Sequence, residues 1–300
     1  MHGFLALDKP EGISSHTLVQ TVRRACGTRR VGHAGTLDPL ATGVLLVGIG
    51  HATRLIEYLT AQSKSYHATM RLGVITDTQD ITGTILETRD IPPLSHEQLE
   101  SACAEFEGVI DQVPPMFSAL KKNGVPLYRL ARKGEEVERQ KRQIHIHKIT
   151  LGNRTGDEVS LDVECSKGTY IRTLCHDIGL SLGCGACMTQ LRRTGSGHFT
   201  SAELTSITEL REGNFKLISP LEGLAHVPQV QLNPEGRERL RNGIPPQLEH
   251  VVSMDSEQAE SGLVLLCDAG ELLAVASPDF TQQQEPRGDF KLHKVFPAGI

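Results

Sequence analysis

One carboxylate in this sequence stands where chemistry can be done. Asp38 lies in Gly32-His33-Ala34-Gly35-Thr36-Leu37-Asp38-Pro39-Leu40-Ala41-Thr42-Gly43, between glycine turns and directly before the apolar run Val44 to Val47. Glycines in such a loop permit unusual backbone angles and close approach of a ligand. A carboxylate held there acts as a nucleophile or a general base if a nearby cation keeps it ionised. The same residue also fits a structural turn, its oxygens bonding nearby amides. Two other clusters have chemical types worth weighing. Lys121 to Lys148 holds nine Lys/Arg against three Glu, which suits phosphate contact or a solvated charged face. Cys184-Gly185-Ala186-Cys187 has a metal-ligand spacing, but the chain has no second such pair; this favours buried or partly buried free thiols over zinc.

The elements that must position these groups are readable in part. Gly3 to Leu7 reads as a strand ending in the turn Asp8-Lys9-Pro10-Glu11-Gly12. Ser14 and Ser15 offer N-caps for a helix carrying Leu18, Val19, Val22 and Cys26, with Gly27 to end it. Residues 31–43 read as a loop feeding the buried strand Val44 to Val47. The alternation of Tyr66, Ala68, Met70 and Leu72 predicts a strand. Ser95 with Gln98 predicts a capping box. Ile144 to Leu151 and Val159 to Cys165 read as paired strands, and a helix follows Ser166-Lys167-Gly168 with Ile171, Leu174, Cys175 and Ile178 on one face. Leu191 to Phe199 reads as a short strand, and a helix is expected near Ser206 to Arg211. From about residue 227 the pattern turns to short strands, Val227 to Leu232, Gly262 to Cys267, Leu272 to Ala276 and Phe290 to Phe296. Among them lies one helix, capped by Asn233 with Pro234 at its first position.

Composition narrows the classes of function. With 300 residues, 38% hydrophobic and 22% charged, the chain suits a soluble globular protein of two domains, or one large one. It has no apolar run of membrane-spanning length, and its first residues, MHGFLALDKPEG, lack the pattern of a signal peptide. Seven dispersed cysteines read as reduced thiols of a cytosolic protein. The net charge of −5 hides an asymmetry: residues 201–300 carry 8 Lys/Arg and 15 Asp/Glu, leaving 23 and 21 for residues 1–200. Asp77 to Asp111 accounts for nine of those acids and only one base, Arg89, so the rest of the first 200 residues is distinctly basic. A polyanion can find a basic face there.

The segment GHAGTLDPLATGVLLVGIG resembles the catalytic motif of the TruB family of pseudouridine synthases. GFLALDKPEGISSH resembles that family's opening signature, and Lys64-Ser65-Tyr66 its second motif. Gly73, Thr76, Asp77, Thr78, Asp80 and Gly83 follow in order. So do Gln112-Val113-Pro114-Pro115, Ser118-Ala119, Lys121, Gly124, Leu127-Tyr128, Ala131-Arg132 and Gly134. Cys165 to Arg172 and Leu191-Arg192-Arg193-Thr194 complete the set. The blocks span roughly residues 3–200 and are specific together, whereas any one alone is weak.

The resemblance implies isomerisation of uridine 55 in the T loop of tRNA, with the target base flipped out of the folded RNA. It implies Asp38 as the catalytic carboxylate, attacking either C1′ of the sugar or C6 of the base. It also implies Arg172 as the cation that pairs with Asp38, and Tyr66 as a ring stacked on the base. Tyr170 and Leu191 become pocket residues, and His33 fills the space the nucleotide leaves. Lys9 either bonds near the active loop or contacts phosphate.

The implied fold is α+β, a pseudouridine synthase fold with a mainly antiparallel central sheet. It divides into a catalytic domain over residues 1–226, with an RNA-gripping insertion around 112–148, and a small β-rich PUA-like RNA-binding domain over 227–300. The implied enzyme is a cytoplasmic monomer that uses no metal, cofactor or obligatory protein partner, only tRNA.

Overall fold

The structure, a computed structural model, describes residues 1–202, 204–254, 262–279 and 288–300. The polar run Thr281 to Gln284 lies outside the described residues. A large central sheet is built from β1 (Gly3–Lys9), β2 (Val31–Ala34), β3 (Thr42–Ile49) and β4 (Lys64–Leu72). A small hairpin, β5 (Val74–Thr76) with β6 (Ile85–Thr88), leads by way of helix Ser95-capped His96–Ala104 to β7 (Gly108–Gln112). After the two-residue pair β8 (Lys121–Lys122) and β9 (Val125–Pro126), the long strands β10 (Arg142–Thr155), β11 (Glu158–Cys165) and β12 (Ala186–Ser196) return to the sheet, with β13 (Phe199–Thr200) at its margin. The order across the sheet is β1-β3-β12-β4-β11-β10-β7.

Pairing corrects one expectation. Most neighbours are antiparallel, but β12 runs parallel to β3, aligning Arg192 with Thr42 and Arg193 with Gly43. The sheet is mixed. That parallel contact is short because β2, expected as loop, is a strand: it takes the same edge of β3 farther along, placing His33 opposite Val47. One edge of β3 is thus shared between β12 at its start and β2 at its end, and the loop bearing Asp38 leaves and re-enters at the junction.

Packing explains why β1 and β3 read as nearly continuous apolar runs. Leu5, Leu7, Leu45, Val47 and Ile49 face one hydrophobic core, while Phe4, Ala6, Val44 and Leu46 face another. Both faces are covered, so the alternation of a half-exposed strand is lost. On the first face lies α1 (Ser15–Ala25), through Leu18, Val19 and Val22. The second face adds a short helix α2 (Ile56–Thr60) and continues into the C-terminal part, where Leu265, Leu272, Val275 and Phe296 join the same core. Burial of each such side chain contributes about 1.5–3 kcal/mol before chain entropy is charged against it.

The other helices are α3 (His96–Ala104), with both arms of the Ser95–Gln98 capping box formed, α4 (Leu127–Ala131), α5 (Ile171–Ser181), α6 (Ile207–Glu212), α7 (Pro220–Gly223) and α8 (Pro234–Arg241). The C-terminal sheet comprises β14 (Gln229–Leu232), β15 (Val251–Met254), β16 (Val264–Asp268), β17 (Glu271–Pro278) and β18 (Phe290–Val295), ordered β15-β14-β16-β17-β18. Strand β15 is one that the sequence pattern did not announce. Among the described residues no helix is long and apolar enough to cross a membrane.

Candidate active site

The loop from Gly35 to Ala41 is held by backbone bonds from three directions. At the head of α1, the Ser15 hydroxyl donates to the Leu37 carbonyl at 2.9 Å and accepts the Leu37 amide at 2.8 Å. Gly12 N–H donates to the Pro39 carbonyl at 2.8 Å. The Lys9 ammonium, 0% exposed, donates to the carbonyls of Pro10 (2.9 Å), Pro39 (3.2 Å) and Ala41 (2.5 Å). Those three bonds use all of its donors. Burial lowers the Lys9 pKa to about 8, with the Asp38 carboxylate opposing that shift. The fourth residue holding it is Arg193, whose Nε donates to the Val44 carbonyl at 2.6 Å and whose Nη2 donates to Gly35 O at 3.3 Å. Arg193 therefore fills the junction where β3 changes partners, satisfying carbonyls near the break in pairing. Gly43 is required there: its φ is +94°, and a Cβ would stand 2.2 Å from the Arg193 carbonyl oxygen.

So clamped, Asp38 meets Arg172. Arg172 Nε lies 2.9 Å from Asp38 Oδ2; the arginine side chain is 4% exposed and the aspartate 37%. The rest of the guanidinium is fixed as well: Nη1 donates to Thr78 O and Nη2 to Phe117 O, each at 2.8 Å. Asp80 Oδ2 lies 3.5 Å from Nη1. Asp80 is itself buried, and its Oδ1 accepts from Thr78 Oγ1 (2.9 Å), Thr82 N (3.0 Å) and Thr82 Oγ1 (2.5 Å). Arg172 occupies the first turn of α5, where the helix dipole disfavours a cation, and two carboxylates offset this. The approach to α5 is set by buried Gln112, whose amide accepts from Tyr170 N at 2.8 Å and donates to Tyr170 O at 3.0 Å. Burial pushes the Asp38 carboxyl above its ordinary pKa; Arg172 and Lys9 pull it back, and Asp80 adds to the rise.

Asp38 and Arg172 open on a cavity of about 330 Å³ that is also lined by Tyr66, Tyr170, Leu191 and Arg193. This is within the range of small-ligand sites. Tyr66 sits on the inward face of β4 with Ala68 and Met70, and burial raises its phenol above the ordinary value while Arg193 lowers it. Tyr170 is likewise raised, chiefly by burial. Leu191 is buried on β12 and gives the cavity an apolar wall. Lys64 lines the cavity too, its ammonium donating to the carbonyls of Leu59, Thr60 and Gln62 at the end of α2. Two of the sequence candidates stand apart from this lining. His33 lies on β2 with its Nδ1 buried and without a partner, and its pKa is lowered mainly by burial. Lys9 supports the loop from beneath with no donor left for a substrate.

The chain is similar to known proteins over its whole length. Residues 23–171 match the family model described as TruB family pseudouridylate synthase, N-terminal domain, and residues 172–223 match that of the tRNA pseudouridylate synthase B C-terminal domain. The chain is 45% identical to the tRNA pseudouridine synthase B of Syntrophotalea carbinolica, over 100% of this chain and 99% of that protein. The chain belongs to the TruB family. The corresponding protein of Geotalea uraniireducens is 43% identical over 99% of this chain and 98% of its own length. In fold the TruB-family chain is similar to a chain of a Cbf5-Nop10-Gar1 complex, with TM-score 0.73 and 27% identity, covering 98% of this chain and 84% of that one. It is similar to the same degree to a chain of an H/ACA RNP bound to a substrate RNA containing 2′-deoxyuridine, with TM-score 0.74 and 26% identity, covering 98% and 84%. As a member of the TruB family the protein is an isomerase, a tRNA pseudouridine synthase.

Three residues gain a place in this TruB-family site that their local sequence does not announce. Asp80, Lys64 and Arg193 each sit in one of the matching sequence blocks, yet nothing in the blocks says that they converge. Their contacts join residues far apart: Arg193 and Val44 are 149 positions distant. The usable signal was the charge itself, a Lys or Arg inside an otherwise apolar strand pattern. Cys184 and Cys187 are free thiols, both buried, where the chain turns into β12.

Proposed function

We propose that this protein converts uridine 55 in the T loop of tRNA to pseudouridine, with the nucleotide flipped into the cavity beside Asp38. The observation that carries this reading is the 2.9 Å pair between Arg172 Nε and Asp38 Oδ2 at the edge of a cavity also walled by Tyr66 and Leu191. The guanidinium sets the carboxylate's rotamer and favours its ionised form. Pseudouridine formation breaks the N1–C1′ bond and makes a C5–C1′ bond. It involves no net redox change or hydrolysis, so a carboxylate and proton transfers satisfy its balance without a metal or cofactor.

In this reading Asp38 assists at C1′ or C6, and Tyr66 stacks on the base and helps move a proton once the new bond forms. Tyr170 and Leu191 bound the base. Burial lowers the His33 pKa and so favours the neutral ring, which suits stacking in the place the nucleotide vacates. Extruding a base costs a few kcal/mol, and contacts with the RNA backbone offset it. The segment 112–148 supplies them through a second cavity of about 400 Å³ lined by Lys121, Lys122, Arg139, Lys141 and Arg142. Residues 1–226 form the catalytic domain. Residues 227–300 form a PUA-like domain that binds RNA outside the reaction centre. The protein acts as a monomer in the cytoplasm, without an obligatory protein partner. The test is to incubate unmodified tRNA transcripts with the protein and map pseudouridine along them: one new site at position 55 is expected, and conversion only elsewhere overturns the assignment.

A further inference from the structure

Arg172 and Arg193 are both almost wholly buried at the cavity, but their charges are answered differently. Arg172 faces two carboxylates, Asp38 and Asp80. Arg193, 1% exposed, pairs with no carboxylate among the described residues; its Nε and Nη2 donate to the carbonyls of Val44 and Gly35, and its other polar neighbour at the cavity is the Tyr66 phenol. The titratable groups it acts on include three of its own sign or able to acquire it: Lys9, His33 and Lys64 are each pushed toward the neutral form in part by Arg193. A cation buried among cations is unfavourable unless an anion is supplied. Two carbonyl dipoles soften that cost without cancelling the charge.

The reaction proposed above, on which this inference rests, supplies an anion during part of its course when Asp38 acts at C1′, the route followed here. When the N1–C1′ bond breaks heterolytically, the electron pair leaves with N1. The detached uracil then carries one negative charge, spread over N1 and the carbonyl oxygens. The electron-poor C1′ is taken by the Asp38 carboxylate, forming a C1′–O bond. After the base turns, C5 forms its bond to C1′ as the C1′–O bond breaks and Asp38 regains its charge. C5 then loses its proton and N1 takes one up, so the product is an isomer of the substrate. We propose that Arg193 is the catalytic residue that binds the detached uracil anion, holding it in the cavity while it turns. Its place favours the base over an RNA phosphate: it shares the cavity wall with Tyr66 and Leu191, both buried, which offer an aromatic and an apolar surface suited to a planar base.

Because Arg193 also holds the Gly35 and Val44 carbonyls, its test must separate charge stabilisation from loop support. Fluorine at C5 stabilises the base anion by itself and so reduces the need for a protein cation. Single-turnover loss of the target nucleoside is measured with the unaltered protein, Arg193→Gln and Arg193→Lys, on tRNA carrying uridine or 5-fluorouridine at the target. Arg193→Gln is expected to slow uridine by roughly 100-fold or more, the scale of losing one donor to a developing anion. It should slow 5-fluorouridine at least about tenfold less, and Arg193→Lys should recover part of the uridine rate. Equal slowing of both substrates would mark a loop-holding residue and overturn the proposal. A raised KM with unchanged kcat and a reduced salt dependence would mark a phosphate contact and also overturn it. If the variants fail to fold, a structure of the unaltered protein with RNA containing 5-fluorouridine decides. An Arg193 nitrogen within about 3.2 Å of a base oxygen or N1 supports the proposal, and an Arg193 out of hydrogen-bond reach of the base refutes it. Unaltered protein that leaves uridine unconverted would instead remove the proposed function itself, and this inference with it.

Discussion

The two sheets of this protein treat charge in opposite ways. Around the cavity end of the central sheet, Lys9, Lys64, Asp80, Arg172 and Arg193 are buried. In the C-terminal sheet, no Lys, Arg, Asp or Glu is buried among the described residues; Arg237 meets Asp268 at 3.1 Å and Glu271 at 2.5 Å near the surface. Both sheets have aliphatic cores and comparable strand pairing, so the difference does not come from what a sheet needs to fold. Buried charge is a poor source of stability, because desolvation consumes most of the Coulombic gain. Its concentration at one end of one sheet marks where the molecule holds a loop, a carboxylate and a cavity in fixed relation.

Removing individual charges sharpens the contrast. Arg172→Met leaves Asp38 and Asp80 facing each other without their cation. Breaking a buried pair costs about 3–5 kcal/mol, and we expect roughly a 100- to 1,000-fold lower single-turnover rate, with a smaller effect on RNA affinity in a filter-binding assay. Lys9→Met strips a donor from two carbonyls of the loop, Pro39 and Ala41, and from that of Pro10. Each buried carbonyl left unpaired costs about 1–3 kcal/mol, so thermal unfolding should shift down by several degrees and kcat should fall about tenfold. KM should change less, because Lys9 does not line the cavity.

A change of pH acts on the same centre without mutation. The proposed chemistry needs Asp38 ionised, and burial raises its pKa. The single-turnover rate should therefore decline on the acid side at a pH above that of an ordinary aspartate. The linked stability effect has the opposite sign. A carboxyl whose pKa is raised by folding favours the native state at low pH, and this contribution is lost as pH rises through the raised value. Asp38→Asn should accordingly be at least as resistant to heat at neutral pH as the unaltered protein. The smallest effect belongs to the other sheet: Arg237→Ala should cost about 1 kcal/mol or less and leave isomerisation unchanged. A large loss of activity there would erase the distinction between the sheets.

What the sequence disclosed and what it withheld follow the range of the interactions. The Ser14 cap of α1, the reciprocal Ser95–Gln98 box and the Asn233 cap at the head of α8 are bonds over three residues, and all are present. The alternation of β4 placed Tyr66 on the buried face. Asp38 stood out because glycines surround it, and the expectation that Arg172 reaches it from a helix start came from the matching motif. Strand β2 was hidden by the glycines at 32 and 35, which break periodicity while leaving the backbone free to pair. The parallel junction of β3 with β12, and with it the position of Arg193, joins segments about 150 residues apart; local pattern carries no trace of it. For Lys9 the sequence left open a bond near the active loop or a phosphate contact; the structure shows the first, and the choice was hidden because its acceptors are backbone carbonyls, which any sequence possesses.

The central claim is that an ionised Asp38, steadied by Arg172, drives the rearrangement of a uridine held in the cavity. Its most direct test is tritium release from tRNA labelled at C5 of uridine, measured in a single turnover alongside binding of the same RNA. The unaltered protein should release the label, and Asp38→Asn should release none while binding within about tenfold of the original affinity, since many other contacts hold the RNA. Tritium release by Asp38→Asn at the unaltered rate would contradict the account.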